Sequence, residues 1–317
     1  MPKISACIVA YCDYDEVCAA VRSILHYTPA PDLALYVVDN GSPDGCGRQL
    51  AETDFGDSRV TVLPLEKNIG FGKGHNYVLD RLTSDVHFIL NPDILLTGDV
   101  LEDMAAWLLA RPGAAMATPQ LRYPDGKLQH LPRRKPTPWL LLARQLAPKL
   151  GGCFKKADDH YTMQDEDLTV PRRIEFCTGS FMAVRTDVFK EIGGFDPGYF
   201  MYVEDADLTQ KVLQKGTVWL APQFSAIHAW HRAPMRDAGK FKMQVLLLKF
   251  GCVFPCCHQN IGGALLGILR VVGQNTANDG MDQPAVLCQQ QLQPRFGFCQ
   301  QGIYDSVILH GVVILPF

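Results

Sequence analysis

Residues 4–42 decide the fold, and they read ISACIVAYCDYDEVCAAVRSILHYTPAPDLALYVVDNGS. Ile4 to Ala10 is a short apolar run rich in β-forming residues, which predicts a buried strand. Apolar residues then recur at helical spacing from Val17 to Leu25, and the pattern stops before Pro29. A second apolar run, Leu33 to Val38, follows. Strand, helix and strand in this order are typical of a parallel sheet.

The same pattern continues through two more apolar runs. Val60 to Leu65 ends in Lys67-Asn68, and Val86 to Leu90 ends in Asn91-Pro92-Asp93. Continuous apolar runs separated by helices predict a Rossmann-like α/β sheet with helices on both faces. Polar residues gather where each strand ends, which is the edge at which open α/β sheets bind ligands.

The second half of the chain is less regular. Residues 123–126 (YPDG) are a turn signal, and Pro132 to Pro138 is a basic, proline-rich loop. Arg173 to Val184 and Thr217 to Ala221 are predicted strands, and Glu204 to Lys215 is a predicted helix. These elements favour a mixed sheet with an inserted loop region.

Composition excludes several classes of protein. The 317 residues are 47% hydrophobic and 20% charged, with 30 Lys and Arg against 33 Asp and Glu. Without a cationic excess, a nucleic-acid partner is disfavoured. The apolar run before Asp13 is too short for a signal peptide, so a cytoplasmic location is expected. The eleven scattered cysteines do not suggest disulfides or zinc, and we expect small buried side chains at five of them, namely Cys7, Cys12, Cys18, Cys46 and Cys177.

The character of the chain changes near residue 250. Residues 251–317 contain five charged residues, nine Gln and five Cys. The uncharged run from Phe250 to Leu269 is broken by Pro255 and polar residues, which disfavours a spanning helix but leaves a peripheral membrane contact open. The predicted domains are therefore 1–250, with halves 1–120 and 121–250, and an irregular C-terminal tail at 251–317.

Two groups of polar residues suit a nucleotide. Asp39 ends the second predicted strand and could accept hydrogen bonds from a base or ribose, although a turn aspartate is the simpler interpretation. Residues 68–76 (NIGFGKGHN) follow a strand and open a helix, and glycines there would let the backbone approach a phosphate. His75 occupies the third glycine position of the dinucleotide fingerprint, so a dehydrogenase is disfavoured.

Two further groups of residues suit a transfer reaction in which a diphosphate leaves and a hydroxyl attacks. Asp93 could hold Mg²⁺ or Mn²⁺, and His228 or His231 could add a nitrogen ligand; a helix cap and ordinary histidines are the alternatives. Glu204 and Asp205 open a predicted helix, where acidic residues also complement the helix dipole. A carboxylate there could deprotonate an acceptor hydroxyl.

The order of these motifs resembles family 2 glycosyltransferases of the GT-A fold, and most of all their rhamnosyltransferase-like branch. The resemblance spans residues 3–245 and is most specific in residues 192–208 (IGGFDPGYFMYVEDADL). Its other motifs are IVAYC (8–12), VVDNGS (37–42), ILNPDI (89–94) and CTGSFMAVR (177–185).

The resemblance implies inverting transfer of a sugar, with rhamnose suggested by the branch, from a nucleotide diphosphate donor to a glycan or lipid-linked acceptor. It assigns the general base to Asp205 and the divalent metal to Asp93 with His231 or His228. The first residue of the family's common Asp-x-Asp is Asn91 here. Residues 178–180 and 193–196 match the acceptor-side wall. The donor-binding positions are Ala10, Tyr11, Asp39, Asn68, Gly70, Gly72, Gly74 and Asn76.

Two other functions fit parts of the pattern. A non-catalytic nucleotide-sugar-binding protein would keep the donor residues without a complete acceptor side. A sugar-phosphate nucleotidyltransferase would carry a Gly-rich, Arg-containing phosphate loop after the first strand, where this chain has Tyr11-Cys12-Asp13. The sequence favours the glycosyltransferase, working at the inner face of a membrane if its acceptor is a lipid.

Overall fold

One mixed sheet organises the part of the chain that the computed structural model describes, which is residues 2–135, 140, 147–148, 151–201 and 203–229. The order of strands across the sheet is β3-β2-β1-β4-β8-β6-β9-β5, with β7 beside β9. The strands are β1 (Ile4–Ala10), β2 (Ala34–Asp39), β3 (Val60–Pro64), β4 (Val86–Leu90), β5 (Ile94–Leu96), β6 (Ala114–Arg122), β7 (Arg172–Arg173), β8 (Phe181–Arg185) and β9 (Thr217–His228). The predicted tail, 251–317, lies outside the described residues.

Helices cover both faces of this sheet. They are α1 (Tyr14–Tyr27), α2 (Cys46–Glu52), α3 (Phe71–Asn76), α4 (Val100–Leu109), α5 (Gly152–Tyr161), α6 (Thr186–Glu191) and α7 (Glu204–Leu213), with a 3₁₀ turn at Leu79–Arg81. Successive side chains of β1 point to opposite faces, as a strand requires. Ile8 therefore packs in the core that includes α1, α2 and α4, while Val9 packs in the core that includes α6 and α7. The predicted α/β sheet with helices on both faces is confirmed.

Strand direction brings the ends of most strands to one edge. The strands β1 to β4 are mutually parallel. The strand β8 runs antiparallel to both β4 and β6, and β9 is parallel to β6. The carboxyl ends of β1, β2, β4, β6 and β9 and the start of β8 therefore lie at the same edge of the sheet.

Three predictions in this region need correction. The predicted strand Arg173 to Val184 is two strands, because the backbone between them leaves the sheet: Cys177 N donates to Thr209 Oγ1 at 3.2 Å, and Gly179 N donates to Asp205. The strand predicted to stop at Ala221 continues to His228, since its second half pairs with β5. Cys12 is exposed rather than buried, because it follows β1 at φ +64°.

Two fully buried histidines predict how stability depends on pH. Burial lowers the pKa of His87 to about 3 and that of His75 well below its usual value. The folded state thus binds a proton on His87 less readily than the unfolded state, and stability is lost as pH falls below about 6.5. From about pH 7 to about pH 5, His87 alone should lower the free energy of unfolding by about 2 kcal/mol. Urea titrations of the wild type and His87→Asn should show this difference, and equal pH slopes in the two proteins would contradict it.

Candidate active site

Asp93 and His228 meet at the carboxyl edge of the sheet. Asp93 follows β4, and the antiparallel pairing of β5 with β9 places Ile94 opposite His228. The side chains of Asp93 and His228 are both buried, and His228 Nε2 lies 3.4 Å from Asp93 Oδ1. Asn91 Nδ2 is 3.3 Å from the same nitrogen. The other predicted metal ligand, His231, lies outside the described residues.

The predicted nucleoside contacts lie at the ends of β1 and β2. Ala10 is buried, whereas the Tyr11 ring is 44% exposed and so is accessible to a base. The Asp39 carboxylate is buried and accepts hydrogen bonds from Ser42 N, at 3.2 Å, and from Ser42 Oγ. Gly47 lies so close to Asp39 that a Cβ there would be 2.3 Å from Oδ2. The carboxylate is therefore held between Ser42 and the first turn of α2.

Asn68 joins the ends of β2 and β3. Its Oδ1 accepts hydrogen bonds from Asn40 Nδ2 at 3.0 Å and from Gly70 N at 2.9 Å, while Asn40 Oδ1 accepts from Ile69 N at 2.9 Å. This reciprocal pair fixes the backbone that leads into α3. As a donor-binding residue, Asn68 remains a prediction.

The glycines of residues 68–76 make room for neighbouring protein atoms, and their predicted approach to a phosphate remains a prediction. A Cβ on Gly72 would lie 2.8 Å from the Phe195 side chain, and one on Gly74 would lie 2.8 Å from Val9. Gly70, at φ +92°, lies against the Phe200 carbonyl. Asn76 bonds to the backbone of Phe195 through both ends of its amide, at 2.7 and 2.9 Å. The motif thus packs α3 tightly onto β1 and onto the segment before α7.

The acidic pair at the start of α7 has two different environments. Asp205 Oδ2 accepts a hydrogen bond from Gly179 N at 3.1 Å, and its Oδ1 accepts from Ala206 N at 2.8 Å. Glu204 is buried, and its Oε2 has no hydrogen-bond partner among the described residues. Burial raises the pKa of both carboxyls, and the charge of Asp205 raises that of Glu204 further. Backbone N–H groups offset part of this rise for both carboxyls, and Asp205 accepts two such hydrogen bonds, from Gly179 N and Ala206 N.

The residue before this pair has an unusual backbone conformation. Val203 precedes α7 at φ +72°, a conformation that is strained for a β-branched side chain. Such strain is found most often at functional sites.

The backbone of residues 179–180 connects the segment that contains Asn91 and Asp93 to Asp205. Ser180 O accepts a hydrogen bond from Asn91 N at 3.0 Å, and the preceding residue, Gly179, donates to Asp205. Adjacent residues just before β8 therefore contact both the Asn91–Asp93 segment and the carboxylate of Asp205. The sequence predicts one site for these residues, and in the structure Asn91 and Asp205 bond to the backbone of adjacent residues.

A cavity of about 240 Å³ opens beside this segment. Its walls include Thr178, Gln120 and Gln129 and several apolar side chains, among them Leu121, Leu131 and Phe176. An apolar cavity with a few polar groups is typical of a binding pocket for an organic ligand.

The residues present fit a divalent ion. No three His, Cys, Asp or Glu side chains among the described residues form a metal-ligand set, so Asp93 and His228 would be joined by water and phosphate oxygens. Ligand atoms about 2.1 Å from an octahedral ion stand about 3 Å apart, close to the separation observed here. Burial raises the pKa of the nearby Asp13 carboxyl, and the charges of Glu16, Asp93 and Asp44 raise it further. A cation would relieve this repulsion.

Several side chains of the site were not predicted. Ser42 was noted only as part of a turn, and Asp13 only as the residue that ends the first apolar run. Gln129 bonds to His228 although it lies in a loop that carries no sequence motif. Polar loop residues have no periodic pattern that would distinguish these from solvated ones.

Comparisons with known proteins agree with this geometry. A family model described as glycosyl transferase family 2 matches residues 5–193, and the chain belongs to that family. The N-acetylglucosaminyl-diphospho-decaprenol L-rhamnosyltransferase of Mycobacterium tuberculosis is 28% identical over 224 residues, which are 65% of this chain and 69% of that protein. Rhamnosyltransferase WbbL of Escherichia coli is 30% identical over 170 residues, 51% of this chain and 61% of WbbL. The chain is thus a family 2 glycosyltransferase, and these two relatives are rhamnosyltransferases.

Solved structures show the same fold. GalNAc-T7, solved with UDP, GalNAc and Mn²⁺, has a TM-score of 0.55 at 16% identity and covers 74% of this chain, but less than half (46%) of its own chain is matched. The mannosyltransferase PcManGT of Pyrobaculum calidifontis, in complex with GDP-Man and Mn²⁺, has a TM-score of 0.53 at 16% identity, covering 88% of this chain and 76% of its own. The predicted GT-A fold is confirmed. Within the described ranges, no helix has the length and apolar character that a bilayer span needs.

Proposed function

We propose that this chain transfers a sugar, with inversion, from a nucleotide diphosphate donor to a hydroxyl of a glycan or lipid-linked acceptor in polysaccharide synthesis. The observation that carries the proposal is the connection through Gly179 and Ser180. It links the Asp205 carboxylate and the Asn91–Asp93 segment to the two residues just before β8. An inverting displacement requires a base and a leaving-group site within one active site, on opposite sides of the reacting carbon.

The donor would lie along the carboxyl edge of the sheet. Tyr11 is exposed for stacking, and Asp39 faces the same edge from β2. A divalent ion held by Asp93 and His228 would neutralise the charge that develops on the departing diphosphate. The Mn²⁺ and nucleotides present in the solved structures of similar fold support this assignment.

Asp205 would act as the general base. Its two backbone hydrogen bonds fix the carboxylate and stabilise its ionised form, whereas burial raises the pKa of Glu204 to about 8 and favours the neutral form of that residue near pH 7. Only the ionised member of the pair can remove the proton of the acceptor hydroxyl as that oxygen attacks the anomeric carbon.

The acceptor would approach past Thr178, where the cavity lies. Its apolar walls suit an acceptor with an apolar portion, and the M. tuberculosis relative is named for a decaprenol-linked acceptor. We therefore propose work at the cytoplasmic face of a membrane through a peripheral contact, and rhamnose as the first donor sugar to test.

A donor screen tests the proposal directly. We expect one nucleotide sugar, with dTDP-rhamnose first in a panel of UDP, GDP and dTDP sugars, to be hydrolysed slowly in the presence of Mn²⁺ or Mg²⁺ and not in EDTA. Calorimetric titration of the matching nucleoside diphosphate should show binding in the same conditions. Binding with neither hydrolysis nor transfer to any supplied acceptor would instead indicate a non-catalytic nucleotide-sugar-binding protein.

A further inference from the structure

Gln129 is a buried polar residue that the turn at residues 123–126 brings to the end of β9. Gly126 N donates to Tyr123 O at 2.9 Å, and the chain then returns along β6, where Gln129 N donates to Leu121 O at 2.8 Å. Leu121 is paired with Ala226 of β9. Gln129 is therefore held beside β6, at a level two residues before His228 along β9.

The side-chain amide of Gln129 makes two hydrogen bonds to the same histidine. Its Nε2 donates to the main-chain oxygen of His228 at 2.7 Å, and its Oε1 lies 2.8 Å from His228 Nδ1. A carbonyl oxygen can only accept, so the first contact fixes which end of the amide is the NH₂ group. The end that faces Nδ1 is then an acceptor, and Nδ1 must carry a hydrogen.

The tautomer of His228 determines what its other nitrogen can do. A neutral imidazole that is protonated on Nδ1 has a lone pair on Nε2. Asn91 Nδ2, a donor, lies 3.3 Å from that nitrogen, and Asp93 Oδ1, an acceptor, lies 3.4 Å from it. A divalent ion between this lone pair and the Asp93 carboxylate would be bound by both.

We propose that Gln129 is a positioning residue for the divalent-ion site. It holds His228 in the Nδ1–H tautomer and directs the Nε2 lone pair toward Asp93. Partners of this kind orient metal-binding histidines, and losing one typically weakens metal binding about 10- to 100-fold. The inference rests on the metal site of the proposed function.

Binding of Mn²⁺ alone, measured from the electron paramagnetic resonance signal of the free ion, tests this role without any turnover. Gln129→Met keeps the length of the side chain and removes both hydrogen bonds, so affinity should fall about 10-fold or more. Gln129→Glu keeps an acceptor toward Nδ1 and should lose less. Gln214→Met makes the same change at an exposed position just after α7 and should bind Mn²⁺ as the wild type does.

The tautomer itself is a second measurement, which remains decisive if Gln129→Met does not fold. In the metal-free wild type near pH 8, long-range ¹H–¹⁵N spectra should assign the Nδ1–H form to His228. An Nε2–H form, or unchanged Mn²⁺ affinity in a folded Gln129→Met variant, would overturn the proposal. Asp93→Ala distinguishes failure of the proposed metal site from failure of the positioning role. If Asp93→Ala binds Mn²⁺ as tightly as the wild type, the metal site and the role of Gln129 are both wrong. If Asp93→Ala loses Mn²⁺ affinity but Gln129→Met does not, the positioning role alone is overturned.

Discussion

Replacing Asp205 by Asn is expected to lower turnover by about 10²- to 10⁴-fold with little change in donor affinity. Asn nearly preserves the shape of the side chain, but it cannot take a proton from the acceptor hydroxyl. Steady-state transfer with a saturating donor measures the loss, and calorimetric titration of the nucleoside diphosphate measures donor affinity. An equal loss of donor affinity would show that the change disturbed the fold of the site rather than the base.

Glu204→Gln is the matched control for this experiment. Burial raises the pKa of the Glu204 carboxyl to about 8, so an uncharged amide of the same length resembles its state near pH 7. Neighbouring helical residues also point about 100° apart, so only one of the two can face the acceptor. We expect Glu204→Gln to reduce turnover far less than Asp205→Asn. The reverse order would exchange the roles of the two residues.

The parallel half of the sheet could be predicted because its signals are local. A strand buried on both faces is a continuous apolar run, and β1, β2 and β4 each contain such a run. The other half depends on long-range pairing, which periodicity does not encode. The division of residues 173–184 into β7 and β8 results from bonds to α7, a helix that begins some twenty residues later.

The glycine-rich motif shows why a pattern alone does not identify a contact. Glycine permits a close approach to any neighbour, and the sequence does not distinguish a phosphate from a phenylalanine ring. The structure places Phe195 against Gly72 and Val9 against Gly74. The motif therefore supports the donor side by packing α3.

The candidate site was predictable where a residue lies next to a strand end. Asp93 and Asp39 directly follow or end buried strands, and the carboxyl edge of an open sheet is a general ligand site. Gln129 is different, because its role comes from a turn and a pairing register that lie far from His228 in the sequence. Only the folded chain shows that one amide satisfies both the ring and the backbone of that histidine.

Replacing Asp93 by Ala is expected to lower transfer by about 10²-fold or more and to weaken Mn²⁺ binding, while the protein stays folded. Removing this carboxylate leaves His228 as the remaining described side chain near the ion, and the diphosphate would depart with its charge poorly compensated. Initial rates with and without added Mn²⁺, together with thermal unfolding, measure the two effects separately.

Asp80→Ala is the matched control for Asp93→Ala. Asp80 is also an acidic residue of the donor half, but it is exposed and precedes β4, at the edge of the sheet opposite to Asp93. The same loss of charge there should leave both the rate and its dependence on Mn²⁺ unchanged. If Asp93→Ala kept full turnover in EDTA, the metal would play no part at this carboxylate. A parallel loss in Asp80→Ala would attribute the effect to the overall charge of the protein, since both variants remove one carboxylate but only Asp93 lies beside His228.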